Sequence, residues 1–107
     1  EAEWLAKKTL ELRAFSDAEG KMNRSIVEEN GALLVVSQFT LYSSVDKGRR
    51  PSFQLALAGE KARALYECYV DSLRTSGLKV ATGSFGAMMA VSLVNDGPVT
   101  FVVEKNP

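Results

Sequence analysis

The chain has 107 residues, 46% apolar and 24% charged, the composition of a single globular domain with one core and not of a disordered or fibrous protein. Thirteen basic residues balance thirteen acidic ones, so no net charge draws the molecule to nucleic acid or membrane, and a polyanion would have to be met by a local patch. Histidine is absent and Cys68 is the only cysteine, which excludes imidazole bases, histidine-held metals, an internal disulfide and a thiolate-rich zinc site, and suits a reducing compartment such as the cytosol.

Leu5, Thr9 and Leu12, flanked by Trp4 and interspersed with Lys7, Lys8 and Glu11, predict a short amphipathic helix from Glu1 to about Leu12. No Ser, Thr, Asp or Asn stands ahead of it as a cap, so further structure upstream is the expectation, with simple processing in a loop as the alternative. Phe15 leads into a turn at Asp17-Ala18-Glu19-Gly20. An extended piece from Lys21 to Val27 then reaches Asn30-Gly31, a strong hairpin signal because both residues tolerate positive φ. The following run, Ala32 to Leu41, predicts a central strand covered on both faces at its start. Its longest apolar stretch, Ala32 to Val36, is far short of a membrane span.

Ser43 to Ser52 is polar, basic and Gly/Pro-containing, a long loop. From Glu60 to Ser76, Ala62, Leu65, Tyr66, Tyr69, Val70 and Leu73 form one apolar stripe, and Gly77 stands where a left-handed C-terminal cap belongs. Beyond it lie a strand from Leu78 to Ala81, a glycine-punctuated segment from Thr82 to Gly86, a strand from Met88 to Val94, the turn Asn95-Asp96-Gly97-Pro98, and a last strand from Val99 to Val103. The order predicts an α+β domain over residues 1–107, with a largely antiparallel, barrel-like sheet and two main helices packed on it.

Few residues offer chemistry. Gln38 and Thr40 turn one face of the predicted central strand polar, which fits either a pocket at the strand end or simple emergence into solvent. Pro98 after Asp96-Gly97 fits a plain turn before a strand, and only about 5 to 6% of X-Pro bonds are cis. Lys47, Arg49 and Arg50 form the one dense basic cluster, either solvated surface or a phosphate-binding loop. Cys68, with no histidine to activate it, is a bystander, and Tyr66, Tyr69, Met88 and Met89 suit the core.

Taken together, Ser37-Gln38-Phe39-Thr40-Leu41 and Asn95-Asp96-Gly97-Pro98-Val99-Thr100 resemble the two signature motifs of the D-aminoacyl-tRNA deacylases. Lys47 to Phe53 and Gly83 to Met88 look like the same family, in matching order. The departure is at the start, where family members carry additional N-terminal strands. The resemblance implies hydrolysis of the ester joining a D-amino acid, or glycine, to the terminal adenosine of tRNA, in the cytoplasm, with no cofactor or metal. It implies a homodimer in which Gly97-Pro98, as a cis-proline motif, enters the other subunit's site and excludes L side chains by bulk. Ser37, Gln38, Phe39 and Thr40 then form the catalytic strand end, working through main-chain groups and the tRNA 2′-hydroxyl more than through a nucleophilic Thr40, whose hydroxyl has no adjacent base. Asn95, Val99 and Thr100 belong to the turn, Phe85 and Met88 help enclose the adenosine, and Lys47, Arg49 and Arg50 contact tRNA phosphates. The competing expectations are a deacylase of the same fold acting on misacylated L-alanine, and a non-catalytic RNA-binding module.

Overall fold

The computed structural model describes residues 1–53 and 59–105. Helix α1 spans Ala2–Glu11 and helix α2 spans Gly59–Arg74, close to the bounds that their apolar spacing predicts. They pack on each other, and among the described residues four of the five buried apolar side chains belong to them: Ala2 and Ala6 on α1, Val70 and Leu73 on α2. The small side chains of α1 admit the larger ones of α2, as close helix packing requires. A polar contact crosses this seam, between the hydroxyls of Thr9 and Tyr69 at 2.8 Å. The Thr9 hydroxyl spends its single proton on the Leu5 carbonyl, so Tyr69 is the donor. Leu65, counted in the stripe, is in fact 48% exposed.

Strand β1 (Phe15–Ser16) pairs antiparallel with β2 (Met22–Arg24). The intervening turn is organised by Asp17, whose carboxylate accepts from the Asn23 side chain at 2.8 Å and from the Glu19 and Lys21 amides. These bonds, led by that from Asn23, hold its pKa below the ordinary 3.8.

Asn30-Gly31 does not make the expected hairpin. Ser25 and Glu28 cap one another reciprocally, the Ser25 amide donating to Glu28 Oε1 at 3.0 Å and the Glu28 amide to Ser25 Oγ at 3.2 Å, which starts a single helical turn. That turn ends with the Gly31 amide bonded to the Ile26 carbonyl and the Asn30 amide to the Val27 carbonyl, with Asn30 at φ 50°, the paired bonds of a Schellman ending. Positive φ is used as the dipeptide suggests, but to stop a helical turn.

Strand β3 (Ala32–Val35) therefore pairs not with its predecessor but with β4 (Lys79–Thr82), in parallel, with Leu33 opposite Val80 and Val35 opposite Thr82. Parallel neighbours need a long crossover, and α2 lies between them in the chain as that crossover. Two helices and a mixed set of strands make this an α/β fold, with one antiparallel and one parallel ladder among the described residues. The strand predicted to Leu41 stops at Val35, and Phe39–Leu41 form a short 3₁₀ turn. Leu33 and Val35 are half-buried while Leu34 is 60% exposed, so β3 is covered on one face only. Met88 to Val94 and Val99 to Val103, expected as strands, carry no ladder. A strand exists only against a partner edge, and neither segment is paired with a described strand.

Leu73 is wholly buried between the helices, so Leu73→Ala is expected to destabilise the fold by about 2–5 kcal/mol, read from the midpoint of urea unfolding at unchanged slope.

Candidate functional site

After Val35 the chain leaves the ladder, and after Thr82 it leaves at the same end from the neighbouring strand. The last backbone-to-backbone bond between them among the described residues is from the Gly83 amide, which donates to the Val35 carbonyl at 3.1 Å. Past this point two walls diverge and enclose a cleft of 340 Å³. Val36, Ser37, Gln38, Phe39 and Thr40 line one wall, and Gly86, Ala87, Met88, Met89 and Val91 line the other. Four of the predicted site residues and Met88 are thus brought together. Met89 and Val91, expected in the core and in a strand, join them because their segment runs unpaired along the cleft.

The walls are tied across by the Gly86 amide donating to Ser37 Oγ at 3.3 Å. A second bond fixes the 3₁₀ turn from within: the Gln38 side-chain amide donates to the Thr40 hydroxyl oxygen. Thr40 thereby faces a donor and not a base, which leaves its hydroxyl a poor nucleophile. None of the residues lining the cleft is ionisable. The groups that this lining offers are main-chain amides and carbonyls, hydroxyls, one side-chain amide and two thioethers.

The basic loop sits beside this cleft. Ser44 and Ser52 exchange both backbone hydrogen bonds at 2.7 Å, closing a loop that holds Lys47, Arg49 and Arg50 in solvent. Its base is joined to the cleft wall by the Phe39 and Phe53 rings, 5.4 Å apart and edge to face.

Phe85 lies elsewhere. Its ring packs on Tyr66 at 5.4 Å and under the Arg63 guanidinium at 5.3 Å, lining a separate groove between α2 and the segment after β4. Asn95, Gly97, Pro98, Val99 and Thr100 are exposed and are not among the residues lining the cleft of their own chain. The Gly97-Pro98 peptide bond is cis. A Cβ on Gly97 would overlap the backbone nitrogen of Val99 and lie 3.3 Å from Asn95 Oδ1, so only glycine fits this corner as it stands.

The fold is a mixed α/β domain whose cleft lies between a strand end and a glycine-containing segment, lined by uncharged residues. Residues 1–104 match the family described as D-Tyr-tRNA(Tyr) deacylase, and the chain belongs to that family. It is 59% identical over 106 residues to a protein of Syntrophotalea carbinolica named D-aminoacyl-tRNA deacylase, a match covering 99% of this chain and 71% of the relative. A protein of the same name from Thermotoga petrophila is 54% identical, again over 99% of this chain and 71% of its own. Among solved structures, the c-Myc DNA Unwinding Element Binding Protein superposes with a TM-score of 0.86 at 40% identity, over 100% of this chain and 73% of its own.

Proposed function

We propose that this chain hydrolyses the ester between a D-amino acid and the terminal adenosine of tRNA, a proofreading step in translation. The family match over residues 1–104 carries the substrate, and the absence of ionisable residues from the cleft wall supports the mechanism. An aminoacyl ester is already activated, so holding its carbonyl against backbone N–H donors and admitting a water suffices. Ser37, Gln38, Phe39 and Thr40 shape the receiving wall, Met88 closes the opposite one, and the tRNA 2′-hydroxyl assists the departure. The reaction takes place where translation does, in the cytoplasm. No helix among the described residues is long and apolar enough to cross a membrane.

Selectivity belongs to the corner at Asn95 to Thr100. In its own chain this corner is exposed and stands outside the cleft, which supports a two-fold dimer in which each copy lends Gly97-Pro98 to the other's site. The corner's carbonyls then occupy the space that an L side chain needs, and chirality is enforced by exclusion. Glycine has no side chain to exclude and passes through. Sedimentation as a monomer at working concentrations would remove this arrangement, and faster turnover of L-alanyl-tRNA than of D-tyrosyl-tRNA would favour the related L-alanine enzyme. Lys47, Arg49 and Arg50 meet the tRNA backbone beside the cleft.

Three outcomes are expected. Thr40→Ala retains deacylation within about tenfold of the unsubstituted chain, because general acid–base assistance is worth about 10²–10⁴ and Thr40 supplies none; abolished turnover with intact binding would make Thr40 the nucleophile. Gly97→Ala lowers D-tyrosyl-tRNA turnover or erodes the discrimination against L-tyrosyl-tRNA, measured by release of labelled amino acid, since its Cβ displaces Val99 or Asn95. Alanine at Lys47, Arg49 and Arg50 together weakens tRNA binding regardless of the esterified amino acid and flattens the salt dependence of log K by about 2–3, read by filter binding across a salt series.

A further inference from the structure

We infer that Tyr66 is a positioning residue for this cleft, bracing the point from which both of its walls begin; its catalytic consequence presupposes the ester hydrolysis proposed above. The apolar spacing of α2 assigns Tyr66 to the helix stripe, and a stripe tyrosine needs only to be buried. This one does more. It is half-buried, and its hydroxyl donates to the Val35 carbonyl at 3.0 Å. The same carbonyl accepts the Gly83 amide at 3.1 Å. Both lone pairs of the last β3 carbonyl are thus used, one by the residue after β4 and one by the helix.

The ring of Tyr66 holds the other branch. It packs against Phe85 at 5.4 Å, one residue before the Gly86 amide that donates to Ser37 Oγ. A single side chain therefore touches the root of the wall bearing Ser37 to Thr40 and the root of the wall bearing Met88. With few ladder bonds beyond Val35 to fix the opening of the cleft, the separation of the walls depends on this brace. A displacement of about 1 Å at a reacting centre is enough to cost on the order of 10²-fold in rate.

Tyr69 supplies a matched control. It lies on the same helix and its hydroxyl also makes one hydrogen bond, but to Thr9 on α1, away from the cleft. Tyr66→Phe keeps the ring on Phe85 and removes only the hydroxyl; Tyr69→Phe removes the equivalent hydroxyl from the helix seam. Each variant is assayed with D-tyrosyl-tRNA well below its melting transition, and amide hydrogen exchange is followed at Gly83 and Gly86. Tyr66→Phe is expected to lower kcat about tenfold with KM within about twofold, and to speed exchange at both amides. Tyr69→Phe is expected to lower the melting temperature and leave kcat and both amides unchanged. Undiminished kcat in Tyr66→Phe overturns the inference, and so does an equal loss in Tyr69→Phe, which would trace the effect to stability. Should the unsubstituted chain leave D-aminoacyl-tRNA intact, the proposed function falls, and the brace is then decided by the exchange rates alone: unchanged rates in Tyr66→Phe reject it, faster rates uphold it.

Discussion

The parallel pairing of β3 with β4 is the constraint on which the rest of the molecule depends. It obliges the chain to travel from one strand's end back to the other's beginning, and α2 is what makes that journey. Because the strands run the same way, their exits lie side by side at Val35 and Thr82. Both chains must leave the ladder at the same end, and the space between them as they part is the cleft. A ligand site outside the carboxyl ends of parallel strands is a general consequence of such pairing. Here it arises from a ladder only four residues long.

The chemistry follows from what those two exits carry. Hydroxyls, amides and thioethers line the cleft, and the loop of Lys47, Arg49 and Arg50 carries its positive charge outside it. Separating the two has a physical logic: charge attracts and orients a polyanion at long range, while an uncharged pocket lets backbone dipoles act on a carbonyl without competition. The Phe39 and Phe53 contact joins the loop to the wall, so the proposed tRNA grip sits directly against the proposed reacting strand end.

Much of the local structure is legible in the residues. Both helices, the left-handed cap at Gly77 (φ 83°), the turn at Asp17 and the strand after Leu78 appear where spacing puts them. Asn30-Gly31 is the instructive exception, because its conformational preference was realised while its expected partner strand was not. The Ser25-to-Glu28 capping pair five residues earlier was the available signal, and a reciprocal cap commits the chain to a helical turn before the dipeptide is reached. The site was less legible. Ser37 to Thr40 and Met88 meet, yet Phe85 turns to α2 and Met89 takes a place in the cleft, choices made by packing partners distant in the chain.

What the sequence by itself determined is the local alphabet: helix faces from apolar spacing, turns from residues that tolerate positive φ, a mechanism without imidazole from the lack of any histidine, and family membership from two ordered motifs. Which edge each strand adopts, on which side β3 is covered, and which residues of 82–91 face the cleft were decided only in the tertiary structure. The reason is that propensity and periodicity act over a few residues, whereas a ladder partner or a ring contact is chosen among surfaces that exist only after the helices have packed.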